Sequence, residues 1–263
     1  MLISHKYKFI FLKNTKTGSS SVQTLLGKYC WPDEHEYLYK VILTGKLQLE
    51  SSDHDHMCGD FKKRPGQKIV DYFNTHRINS NGIIGAGDKT QWRSHMSAQE
   101  VRDNIGEDVF KNYHKISIVR NPYTKILSKY FWEMNDHHGI TVDEWLDLDR
   151  DALNLHIHCI PGCSVNGTPA CDTYIKYENL HAELKDICLK IGINDLDLNH
   201  LPNNKALNSK QPMDKMDKFG IRHMYDEFKS SPDSWKHILS EQTKSRIYEK
   251  HKREFELFDY SND

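Results

Sequence analysis

The first apolar run of the chain, Phe9-Ile10-Phe11-Leu12, is short, unbroken and flanked by Lys8 and Lys13. Four consecutive apolar residues rich in aromatic and branched side chains predict a buried strand. The period then changes, with apolar positions at Val22, Leu25, Leu26 and Tyr29, the spacing of one helix face. A second strand–helix pair follows. His114 to Val119 reads as a buried strand, and Arg120-Asn121-Pro122 ends it. Asn121 can cap a helix, Pro122 suits its first position, and Tyr123, Ile126, Leu127, Tyr130, Phe131 and Met134 continue at helical spacing. Ser97-Ala98-Gln99-Glu100 is a capping box that opens a helix to about Ile105, and Thr141-Val142-Asp143-Glu144 is another before Trp145 and Leu146. Residues 31–68 are polar, Ile69 to Phe73 starts a further element, and Gly82 to Gly87 reads as a short strand or tight loop. Residues 199–220 read as a polar, lysine-bearing loop able to cover a ligand. No internal repeat is visible.

Composition narrows the class. At 263 residues the chain can bury a full α/β core, and one domain over residues 1–263 is expected. Lys and Arg number 36 against 37 Asp and Glu, so no bulk charge directs the chain to nucleic acid or to a membrane, and attraction for an anion must be local. Phe9 to Leu12 is the longest apolar run near the start, too short for a signal segment or a span, and a cytoplasmic protein is expected unless an anchor has been trimmed away. Cys30 and Cys188 fall on apolar helix faces and read as buried thiols. Cys159, Cys163 and Cys171 lie in a Pro/Gly-rich hairpin. Their spacing with His156 and His158 fits no standard zinc pattern, and a disulfide needs an oxidising compartment, so reduced thiols are expected. Asp53-His54-Asp55-His56 reads as a solvated loop rather than a metal site, and Lys62, Lys63, Arg64 and Lys68 as a solvated face able to meet an acidic glycan.

Chemistry is concentrated between the first strand and its helix, in Lys16-Thr17-Gly18-Ser19-Ser20-Ser21. A hydroxyl-rich turn that opens a helix brings unpaired backbone N–H groups and the positive end of the helix dipole onto one anion. Lys16 adds a mobile charge, and Thr17, Ser19, Ser20 and Ser21 add hydroxyl donors. The order differs from a Walker A loop, whose lysine follows its second glycine; here the lysine precedes the only glycine. An ordinary capped strand–helix turn would share part of the pattern. At the second strand's end, the Arg120 guanidinium can fork onto a phosphate, with the Ser128 hydroxyl on the following helix adding a bond.

The two segments, in this order and about a hundred residues apart, resemble the 5′-phosphosulfate loop and the 3′-phosphate site of sulfotransferases that use 3′-phosphoadenosine 5′-phosphosulfate (PAPS). The resemblance is nearest to the carbohydrate O-sulfotransferases of the heparan and chondroitin kind and their short microbial relatives. Ile175-Lys176-Tyr177-Glu178-Asn179-Leu180 is similar to that family's later strand-to-helix element, and Ile247 through Tyr260 to its closing amphipathic helix and terminal aromatic strand. Residues 31–90 carry no match.

The resemblance and the element order together imply an α/β fold: a mainly parallel central sheet flanked by helices, with a P-loop-NTPase-like core and its site at the strands' carboxyl ends. The implied reaction is in-line transfer of a sulfuryl group from PAPS to a hydroxyl acceptor, a glycan or small sugar-containing molecule. Lys16 is the expected catalytic cation, Thr17 to Ser21 hold the phosphosulfate, and Arg120 and Ser128 hold the 3′-phosphate. No metal is required by this scheme. The expected general base is His95, because His95-Met96-Ser97 resembles the His-Val-Ser of some carbohydrate sulfotransferases. His76, His114 and Glu178 are the fallbacks, and Lys13 reads as solvated or structural. Two other readings stay open: a P-loop kinase or nucleotide hydrolase with a degenerate loop, and a nucleotide-binding module without catalysis.

Overall fold

In the computed structural model, the described residues are 2–30, 95–133, 140–148, 159–200 and 213–262. The expectations for residues 31–90, for His76 and for Met134 lie outside them. A four-stranded sheet has the order β1 (Leu2–Ser4), β2 (Phe9–Leu12), β3 (His114–Val119) and β6 (Thr173–Lys176). β1 runs antiparallel to β2, whereas β2–β3 and β3–β6 are parallel, with Leu12 opposite Ser117 and Val119 opposite Lys176. The short edge strand β1 was not legible in the sequence, since three residues cannot establish a period of two.

The unbroken apolar run of β2 is explained by burial on both faces, as in parallel sheets covered on either side by helices. Phe9 and Phe11 join Ile116, Ile118 and Ile175 in a core with α1 (Ser19–Gly27) and α7 (Leu180–Lys190). Ile10 and Leu12 face the other way, onto Met96, Ala98, Val101 and Phe110, the last three from α2 (Ala98–Ile105) and α3 (Glu107–Asn112). The Ser97 capping box forms as expected, with Glu100 N–H donating to Ser97 Oγ and Ser97 N–H to Glu100 Oε2.

α4 (Pro122–Trp132) leaves the carboxyl end of β3 and organises a second core. Its Tyr123 stacks on Trp235 at 4.3 Å, and Tyr130 meets Trp145 of α5 (Val142–Leu148) at 5.6 Å. The Thr141 box that opens α5 also forms. α6 (Cys159–Gly162) precedes a small hairpin of β4 (Ser164–Val165) and β5 (Thr168–Pro169). Helices α8 (Met213–Lys218), α9 (Arg222–Ser230), α10 (Trp235–Ile238) and α11 (Glu241–Phe258) complete the described chain. Two expectations are corrected. Residues 213–218, read as loop, are helical, and the closing aromatic segment is no strand: Phe255 and Phe258 pack from the last turns of α11. A period of 3.6 from Ile247 to Phe258 fits one buried stripe, so the helix continues until Asp259 ends it in the left-handed conformation at φ 50°.

The expectation of reduced thiols agrees with the structure, where Cys30, Cys159, Cys163, Cys171 and Cys188 are all free. Cys159 has a specific neighbour: the fully buried Lys125 ammonium donates to its Sγ at 2.9 Å. Burial opposes the charge on Lys125, but Cys159 and Glu254 outweigh it and raise its pKa; burial pushes the Cys159 thiol up to about 12. Glu254 of α11 also accepts from the Cys159 N–H, so α4, α6 and α11 meet at the buried Cys159. No helix among the described residues is long and apolar enough to cross a membrane.

Candidate active site

The three parallel strands end at Leu12, Val119 and Lys176 on one edge of the sheet, and each carboxyl end feeds a segment of the site. Loop 13–18 leads into α1, Arg120-Asn121 leads into α4, and Tyr177–Asn179 forms a single 3₁₀ turn before α7. A cleft of about 890 Å³ opens among them, lined by Gly18, Ser21, Arg120, Thr124, Tyr177 and Glu178, and further by His181, Lys229, Trp235, Lys236 and Tyr260.

Asn14 holds the first loop from beneath. Its buried Nδ2 donates to Ser117 Oγ at 2.9 Å and to the Ile118 carbonyl at 3.0 Å, and it lies 3.5 Å from Cys163 Sγ. Hydrogen bonding from Cys171, above all, holds the Cys163 thiol below its usual pKa. The Asn14 carbonyl accepts from Thr17 Oγ1 at 3.1 Å and Ser19 Oγ at 2.6 Å. These two hydroxyls, expected as donors to an anion, are therefore turned inward and shape the loop. At the amino end of α1 the Ser21 and Val22 N–H groups donate to the Gly18 carbonyl, which turns the loop into the helix. Ser21 lines the cleft and Ser20 is exposed.

Two residues of this loop take the left-handed backbone: Lys16 at φ 60° and Gly18 at φ 73°. Gly18 is required twice. A Cβ there would sit 2.8 Å from Cε2 of Tyr177, which closes the cleft against the loop. Gly18→Ala is expected to destabilise the fold by about 1 kcal/mol or more and to lose nucleotide-induced thermal stabilisation; melting temperatures equal to those of wild type, both without nucleotide and with it, would refute both.

Arg120 joins the two motifs. It is 8% exposed, its Nε donates to Thr124 Oγ1 at 3.0 Å, and its Nη1 donates to the Lys16 carbonyl at 3.2 Å. The guanidinium lies 4.2 Å from the Tyr177 ring centroid and 5.6 Å from that of Phe228. Burial lowers its pKa, opposed by Tyr177, Glu178 and Tyr260, yet an arginine stays charged. Ser128, two turns along α4 and 4% exposed, has an Oγ without a hydrogen-bond partner among the described residues. A buried hydroxyl in that state is one a ligand oxygen would satisfy.

The histidines separate clearly. His95 is exposed, sits at φ 63°, and places Nδ1 3.2 Å from the carbonyl of Lys13, at the start of the loop. A carbonyl only accepts, so Nδ1 carries the proton and Nε2 the basic lone pair. Strained backbone at both Lys16 and His95 fits functional positions. His114 is at the amino end of β3, the opposite edge of the sheet from Arg120, paired with Thr173 Oγ1 at 2.9 Å. Glu178 accepts from Asn121 N–H at 2.9 Å and from the Tyr260 hydroxyl at 3.0 Å, which makes it a clasp between α4 and the C-terminal segment. Burial and Glu178 push the Tyr260 phenol up, so it remains a donor.

Several lining residues were not singled out from sequence. Tyr177 and Tyr260 owe their places to contacts between distant segments, with Arg120 and Gly18 for the first and with Glu178 for the second, whereas Thr124 is set locally by Arg120 and Asn121. Lys229 and Lys236 each follow an aromatic anchored on α4: Phe228 stacks on Phe131 at 5.3 Å and Trp235 on Tyr123. That aromatic–lysine repeat was the only local signal available.

An α/β sheet that carries a left-handed Lys16–Gly18 loop and a buried arginine at the carboxyl ends of its parallel strands places cationic groups where such sheets take up ligands. The model of the sulfotransferase family matches residues 1–261. The chain belongs to the sulfotransferase family. No curated relative and no solved structure matches it.

Proposed function

We propose that this sulfotransferase-family chain moves a sulfuryl group from PAPS to a hydroxyl acceptor, a glycan or small sugar-containing molecule, by in-line displacement. The observation that carries the reading is the Arg120–Lys16 hydrogen bond, which unites the two anion-binding segments at one cleft. The β2–loop–α1 order supports a P-loop-like core. In this reading the N–H groups at the start of α1 and the Ser20 and Ser21 hydroxyls receive the 5′-phosphosulfate. Arg120 and Ser128 receive the 3′-phosphate and so select PAPS over ATP. The Lys16 ammonium stabilises charge that builds on the bridging oxygen as the S–O bond breaks. His95 Nε2 takes the acceptor's hydroxyl proton, since Nδ1 is committed to Lys13.

The direct test screens polysaccharides and small sugars with labelled PAPS and follows both the sulfated product and adenosine 3′,5′-bisphosphate. Label transfer to an acceptor hydroxyl is expected. Turnover of ATP with magnesium in place of PAPS would establish the kinase reading, and binding without release of adenosine 3′,5′-bisphosphate the non-catalytic one. With an acceptor in hand, His95→Ala is expected to lower turnover about a hundredfold or more while leaving adenosine 3′,5′-bisphosphate binding intact. Near-normal sulfation by that variant would remove His95 from the chemistry.

A further inference from the structure

The Lys16 ammonium lies 4.2 Å from the centroid of the Trp132 ring, at the far end of α4 from Arg120. Trp132 is 53% exposed, so its position is not explained by core packing. Thr124, Ser128 and Trp132 recur every four residues along α4, a spacing that forms one slowly turning ridge about 12 Å long, and Arg120, just ahead of the helix, joins its start by donating to Thr124 Oγ1. Lys16 lies along this ridge. Its carbonyl is held by Arg120 at one end and its ammonium by the Trp132 ring at the other. Its left-handed backbone fixes the direction in which the side chain leaves the loop.

We propose that Trp132 is a positioning residue for Lys16, holding the ammonium extended and charged along the α4 ridge ahead of sulfuryl transfer. The aromatic face attracts the cation but not the neutral amine, so the ring both restricts the side chain and favours its protonated form. The role rests on the assignment of Lys16 to the chemistry, and its test contains a readout that does not.

That readout is the rate at which a water-soluble amine-acylating reagent labels Lys16, followed by peptide mass spectrometry across a pH series in wild type, Trp132→Leu and Trp132→Phe. Trp132→Leu is expected to speed labelling about two- to fivefold at a fixed pH and to lower kcat by a similar factor. KM for PAPS and thermal stabilisation by adenosine 3′,5′-bisphosphate should stay as in wild type. Trp132→Phe, which keeps a ring face, should restore most of both effects. Unchanged labelling in Trp132→Leu overturns the proposal, and so does a change confined to acceptor KM, which would make the ring an acceptor contact. If labelling responds as stated while Lys16→Ala turns over normally, the placement of Lys16 by Trp132 stands and the catalytic assignment of Lys16 falls.

Discussion

Lys16→Ala is expected to lower turnover by about two to three orders of magnitude while leaving the affinity for adenosine 3′,5′-bisphosphate within a few-fold of wild type. The reasoning is differential: an ammonium aimed at an oxygen that gains charge only as the bond breaks strengthens in the transition state, and its loss appears in kcat. The structure adds a constraint on how the residue acts. Its backbone is held left-handed, with the carbonyl on Arg120, so the loop geometry is fixed by main-chain contacts that an alanine retains in large part. Single-turnover sulfation with saturating PAPS provides the measurement. A normal single-turnover rate with only a raised KM would reduce Lys16 to a binding residue.

Arg120→Ala is expected to erase the distinction between adenosine 3′,5′-bisphosphate and AMP. For wild type, saturation at about a hundred times Kd adds about 2.7 kcal/mol of stability, which raises Tm by several degrees in a chain of this size. AMP, lacking the 3′-phosphate, should give far less. A hydrogen bond to a charged group contributes about 1.5–3 kcal/mol, so the variant should bind the bisphosphate about ten- to a hundredfold more weakly. The same side chain also holds the Lys16 carbonyl, Thr124 and the Tyr177 ring face. Arg120→Lys separates these roles, since it keeps a charge but loses the planar fork and the stacking. Equal stabilisation of wild type by both nucleotides would remove the 3′-phosphate assignment.

Local signals carried far along this chain, and where they failed the cause is identifiable. β2, α1, β3 and α4 were legible because each has an uninterrupted apolar period and a marked end, such as Asn121-Pro122 ahead of α4. The two capping boxes were equally legible, since the reciprocal bonds join residues three apart. β1 and the last turns of α11 were missed or misread for opposite reasons: one is too short to show a period, the other is aromatic enough to suggest a strand.

The candidate site divides in the same way. Lys16, Gly18, Arg120 and Ser128 could be named from order and spacing, because an anion loop and a strand-ending arginine are local arrangements. The direction of each side chain was not local. Thr17 and Ser19 turn inward because Asn14, held by Ser117 and Ile118 from the neighbouring strand, presents its carbonyl beneath them. Glu178 and His114, equal candidates as bases in the sequence, are separated by the parallel register, which puts one in a clasp at the cleft and the other at the opposite sheet edge. The sequence by itself thus determined the strand–helix units and the order of the two segments on which the proposed anion site rests. Which groups line the cleft, which hold the loop, and that Arg120 and Trp132 contact the two ends of Lys16 were decided by tertiary structure, since hydrogen bonds and ring contacts between residues about a hundred positions apart leave no periodic trace in the chain.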